Sequence, residues 1–139
     1  MDIYRKKGIG RVDKKRNRGM NKPVRVILLD EADSEYKKLN YIVGQQIKEN
    51  TEEMQLLRSI KQKIEFVKAN PFYGNNIPKL LIPKEYIIKY NAKNLWRVEL
   101  TNYWRMLYTI KGDLVEVICF ILDIINHKEY DKKFGYRGK

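Results

Sequence analysis

One cysteine and one histidine in 139 residues leave little room for two common kinds of site. Cys119 alone closes no internal disulfide, and with only His127 to join it a Cys/His zinc site lacks ligands. Whatever chemistry the chain performs is therefore expected to run without zinc, and such cysteine usage suits a reducing cytoplasm. A secretory signal is missing, because the basic N-terminus has no apolar stretch behind it. A membrane span is missing too: the longest apolar run, 114–125, is short and carries Glu116 and Asp123. No internal repeat is visible. Acid is also in short supply. Lys and Arg number 29 against 17 Asp and Glu, a net charge of +12. That excess points to a polyanionic partner, whether nucleic acid, an anionic membrane or an acidic protein. What is present in quantity is apolar: 43% of residues are hydrophobic, enough for one domain with a real core.

Residues 1–23 differ from the rest. They hold nine Lys/Arg against Asp2 and Asp13, seven of the twelve net positive charges. This composition reads as a flexible leader, or as a basic arm that grips nucleic acid. Met20, just ahead of the first strand, offers a second candidate translation start beside Met1. Residues 24–139 then form the domain. "VRVILLD" (24–30) is β-branched and predicts a strand. Asp33 or Ser34 can cap a helix whose apolar face is Tyr36, Leu39, Ile42, Val43 and Ile47. Asn50 begins a second helix, with Glu53 at capping-box distance and Leu57, Ile60, Ile64 and Val67 as its stripe. Asn70-Pro71 ends it. The proline-rich stretch 71–84 reads as an irregular connection. Three strands follow: "LWRVEL" (95–100), "WRMLYTI" (104–110) and "LVEVICFILDI" (114–124), the last apolar enough to be central. The expected class is α+β, a small twisted antiparallel sheet with a helical hairpin on one face.

The alternation of side chains along the meander carries the functional signal. If Trp96, Val98 and Leu100 face the helices, Arg97 and Glu99 face away. Pairing Trp104, Met106 and Tyr108 with the core then leaves Arg105 beside Arg97 on an open face. Arginine offers a fork of donors matched to a phosphate. Metal-free RNA cleavage needs such fixed cations, together with a proton acceptor and a proton donor. His127 can fill either proton role, since histidine changes charge near neutral pH. Tyr130 and Tyr136 can stack on splayed bases, a tyrosine beside cations such as Tyr130 can also assist proton transfer, and Lys128, Lys132 and Lys133 can hold the backbone. A strand arginine is equally at home on a solvated sheet face, and a histidine at a strand end is commonly just exposed. Residues alone thus support a basic α+β domain that binds nucleic acid.

The ordered set "NLWRVEL…YWRMLYTI…VEVICFILDIINHKEY" resembles the RelE/ParE superfamily of bacterial and archaeal type II toxins, in its archaeal-type RelE-like branch. The resemblance covers about residues 24–136, and "WRMLYTI" is its best local signature. It implies a RelE-like fold: an N-terminal strand, a two-helix hairpin, then a three-stranded antiparallel meander in one twisted sheet. It implies a metal-independent, cofactor-free mRNA endonuclease in which the 2′-OH attacks the adjacent phosphate. By that resemblance Arg105 contacts the scissile phosphate and Arg97 supports it from the preceding strand. Glu99 stands where the family carries a second basic residue on that strand, a departure that makes it either a candidate general base or a neutraliser of a neighbouring arginine. His127, Lys128 and Tyr130 fall in the family's C-terminal His/Arg and Tyr region, with a different spacing. The partners implied are mRNA, with or without the ribosome, and an acidic antitoxin; no membrane is involved. ParE-like members poison DNA gyrase on the same scaffold, so a gyrase-directed toxin remains an alternative, as does a non-catalytic RNA-binding relative.

Overall fold

The structure, a computed structural model, describes residues 22–135. The leader up to residue 21, Met20 and Tyr136 lie outside the described residues. Strand β1 (Val24–Leu28) leads into helices α1 (Asp30–Gln45) and α2 (Glu52–Ala69). A two-residue strand β2 (Asn75–Asn76) and helix α3 (Lys84–Tyr90) precede the meander. The meander consists of β3 (Trp96–Glu99), β4 (Arg105–Gly112) and β5 (Val117–Ile125), and helix α4 (His127–Phe134) closes the described chain. The sheet order is β1-β5-β4-β3-β2. The α+β architecture expected from the sequence, with its helical hairpin and meander, is therefore present. One correction concerns β1, which pairs parallel to β5 in a sheet otherwise antiparallel. The crossover between those strands contains every other element of the sheet and both hairpin helices. The chain is already tied down at Lys22, whose Nζ donates to the Asp113 carbonyl, and at Pro23, whose carbonyl accepts from Val117 N.

Helix boundaries follow local chemistry that the sequence reading placed differently. Thr51, not Asn50, caps α2: its hydroxyl accepts from Met54 N. Glu53 instead accepts from the Gln46 side chain, which binds the hairpin turn to α2. Helix α1 starts three residues before Asp33 with Leu29 as its cap residue, and no side chain satisfies its first N–H groups. Helix α3 begins at Lys84, the last residue of the stretch expected to be irregular, which otherwise holds only β2 and one short 3-10 turn (Lys79–Leu81). Pro83 sets its start, and Asn91 in the left-handed region (φ 56°) stops it.

The hairpin covers one face of the sheet. Leu39, Leu56, Ile60, Ile64 and Val67 pack there against Val26, Val98, Met106, Tyr108, Cys119 and Ile121. This matches the register argued from the alternation, with Trp96, Val98 and Met106 on the helix side. The other face is not open, contrary to expectation. Leu107 and Leu122 are buried there with Leu95, Ile77, Ile82, Tyr86 from α3 and Tyr130 from α4. A β-bulge makes this second core possible. Leu107 pairs with Asp123 but Tyr108 pairs with Ile121, so Leu122 is the extra residue. Leu122 and Asp123 both reach the second face as a result, the usual use of a bulge to re-aim a side chain.

Cys119 belongs to the first core and is fully buried; burial pushes its thiol up to about 12. The thiolate is the reactive species. A disulfide reagent at pH 8 should therefore leave the native protein unmodified and titrate one thiol after denaturation, read by absorbance.

Candidate functional site

The β3–β4 hairpin fixes three charged side chains on the second face at one end of the sheet. Glu99 and Arg105 are direct cross-strand partners, and Arg97 lies two residues before Glu99, hence on the same face. The Glu99 carboxylate bridges both arginines. Its Oε2 lies 3.1 Å from Arg97 Nε and its Oε1 lies 3.5 Å from Arg105 Nε. The arginine side chains are only 29% and 20% exposed, while the glutamate is 51% exposed. Two well-held cations thus meet one loosely held anion.

Helix α4 builds the floor. Asn126 caps it, its side-chain oxygen accepting from Glu129 N, and Gly135 ends it at φ 76°. One turn in, Tyr130 is 2% exposed. The Arg105 guanidinium lies 4.7 Å above its ring and that of Arg97 lies 5.7 Å from it. Arg97 Nη1 donates to the Tyr130 hydroxyl at 3.0 Å, and Phe134 stacks on the ring at 4.2 Å. Tyr130 is therefore a buried support for two cations. Its ring is packed against Phe134 and the Arg105 guanidinium.

His127 opens α4 in an exposed position. Its ring meets Tyr103 edge-on at 5.9 Å, and the Tyr103 carbonyl accepts from Arg105 Nη1 at 3.3 Å. Pairing explains the proximity: Arg105 faces Ile125, so two residues on from each partner in opposite directions lie Tyr103 and His127. Tyr103 itself sits at φ 63° after Asn102 at φ 56°, and an aromatic residue there carries backbone strain. Arg97, Glu99, Tyr103, Arg105, His127 and Tyr130 are thus brought to one end of the sheet. Lys63 of α2 reaches the same end, donating to the Glu99 carbonyl.

Lysines on α4 divide by face. Lys128 and Lys132 are exposed. Lys133 points the other way, pairing with Glu85 and lying 3.9 Å from Asp123. It borders a recess of about 100 Å³ lined by Glu31, Tyr86, Lys89 and Tyr90 as well. Tyr86 donates to Asp123 Oδ2 at 2.6 Å. Burial pushes the Asp123 carboxyl above its ordinary value, against the opposing pull of Tyr86 and Lys133. Burial opposes the charge on Lys133, yet its hydrogen bond to Glu85 and the Asp123 charge prevail and raise its pKa. This network rivets α4 and α3 to β5, and through α4 it holds the site floor. Tyr103, Glu85, Tyr86 and Asp123 were not expected in any role. Asn126 with Glu129 three residues on, followed by Gly135, was a readable helix signature.

Among the described residues no group of His, Cys, Asp and Glu could hold a metal ion, and no helix is long and apolar enough to cross a membrane. The groups gathered at the site are two guanidinium forks, a carboxylate, an imidazole and a phenol. No family model matches the chain, and no curated protein does either. Among solved structures, a YoeB/ParE toxin from Agrobacterium tumefaciens is similar, at 14% sequence identity and a TM-score of 0.49. The likeness covers 73% of this chain and 96% of that one.

Proposed function

We propose that the chain is a toxin of the RelE/ParE kind, acting in the cytoplasm as a metal-independent endoribonuclease on mRNA and restrained by an acidic antitoxin. The observation that supports it best is the convergence of Arg97 and Arg105 from neighbouring strands on one carboxylate, over the buried ring of Tyr130. That arrangement suits an oxyanion. Cleavage forms a bond from the ribose 2′-oxygen to phosphorus and breaks the bond to the 5′-oxygen, leaving a 2′,3′-cyclic phosphate and a 5′-hydroxyl. Arg105 and Arg97 stabilise the crowded phosphorane, whose extra charge develops between them. Proton handling falls to His127 at the rim, while Tyr130 orients the guanidinium groups. Lys128 and Lys132, exposed on the same helix, take flanking phosphates.

The test is inducible expression in bacteria with mRNA 5′ ends mapped by primer extension. Growth arrest with new internal ends is expected. Arrest with intact mRNA would instead indicate a gyrase-directed toxin, and unimpaired growth with intact mRNA a non-catalytic relative.

A further inference from the structure

We infer that Glu99 is a resident anion that occupies the arginine pair in the free protein and must leave before a phosphate enters. The inference rests on the phosphate-binding reading above and adds a competitor inside the site. Its basis is geometric. Each carboxylate oxygen lies at ion-pair distance from one Nε, of a different arginine, so Glu99 places its charge between the two guanidinium groups, where a phosphate's charge would also be favoured. The two cations are held from below by Tyr130 and, for Arg105, from the side by the Tyr103 carbonyl. Glu99 has no comparable anchor among the described residues: its side chain is half exposed and its ion pairs there are with the two arginines. Its backbone is fixed in β3, so it can swing aside without disturbing the strand. Exposed ion pairs of this kind are weak, which makes displacement feasible.

An internal carboxylate acts at high effective concentration and lowers the affinity of every external anion by the same factor. Isolated small anions then bind too weakly to occupy the site. A polynucleotide also held at Lys128 and Lys132 keeps enough affinity to displace Glu99. The acid thereby reserves the arginines for phosphates delivered on a chain.

Glu99→Gln removes the charge with little change of shape, and Glu99→Ala removes the side chain beyond Cβ. Glu49→Gln, in the exposed hairpin turn, makes the same change in net charge away from the site. Binding of inorganic phosphate to the full chain is followed by calorimetry or by protection against thermal unfolding. Binding of an uncleavable 2′-O-methyl oligoribonucleotide is followed by fluorescence anisotropy. Both Glu99 variants should bind phosphate about tenfold more tightly than wild type, with Glu49→Gln unchanged. Phosphate should then compete with the oligonucleotide in the variants at about tenfold lower concentration. Equal or weaker phosphate binding by both Glu99 variants, or an equal gain in Glu49→Gln, would overturn the inference. Tighter phosphate binding with no oligonucleotide binding by any form leaves Glu99 as a resident anion and defeats the RNA reading instead.

Discussion

Arg105→Ala is expected to slow RNA cleavage by about 10²–10³-fold, the usual loss when one preorganised donor to a developing oxyanion is removed. In cells this should restore growth on induction and remove the new mRNA ends. The side chain is directed by three contacts: the Tyr130 ring, the Tyr103 carbonyl and Glu99. None of these is in the main core, so the melting temperature should fall by only a few degrees. Arg105→Lys sharpens the result. Lysine keeps the charge but presents no planar fork, and so should recover phosphate binding more than catalytic rate. Full cleavage by Arg105→Ala, measured on a defined RNA with single-turnover kinetics, would remove the phosphate-contact role.

Leu107→Ala should have the opposite profile. Leu107 is fully buried between Arg105 and the second-face core, against Leu122, Leu95 and the α3 and α4 residues that cover it. Truncating such a leucine costs about 2–5 kcal/mol, a drop in melting temperature of about 10 °C or more for a domain of this size. Below the transition the arginines keep their strands and their register, so cleavage should persist at low temperature. Differential scanning calorimetry and cleavage at two temperatures separate the two variants. Equal stability of Leu107→Ala and wild type would mean that the second face is not a core.

The contrast shows what periodicity could and could not reveal. Arg97 and Glu99 were assigned to the face away from the hairpin because strand side chains alternate with a period of two, and Trp96, Val98, Met106 and Tyr108 left only one sensible core. The same alternation put Arg105 beside them. It said nothing about what lies over that face. Helix α3 presents Ile87 and Ile88 outward, with Ile88 80% exposed, and buries Tyr86, so its sequence lacks the apolar stripe of a core-facing helix. The bulge at Leu122 was equally invisible, because "CFILDII" is apolar on both faces and carries no phase. Helix α4 differs in another way: its caps are legible in Asn126 and Gly135, but a basic composition does not show which side chain packs inward, and here that is Tyr130.

The parallel union of β1 with β5 has a consequence for the order of events during synthesis. The first strand of the domain must wait for the last before its edge is satisfied, and Tyr130 arrives later still. Domains emerge N-terminus first, at about 5–20 residues per second. Until α4 has been made, the nascent chain has its arginines but neither the ring beneath them nor the histidine beside them. The arginines are thus laid down before the ring that supports them, and the site is complete only once α4 has packed beneath β3 and β4.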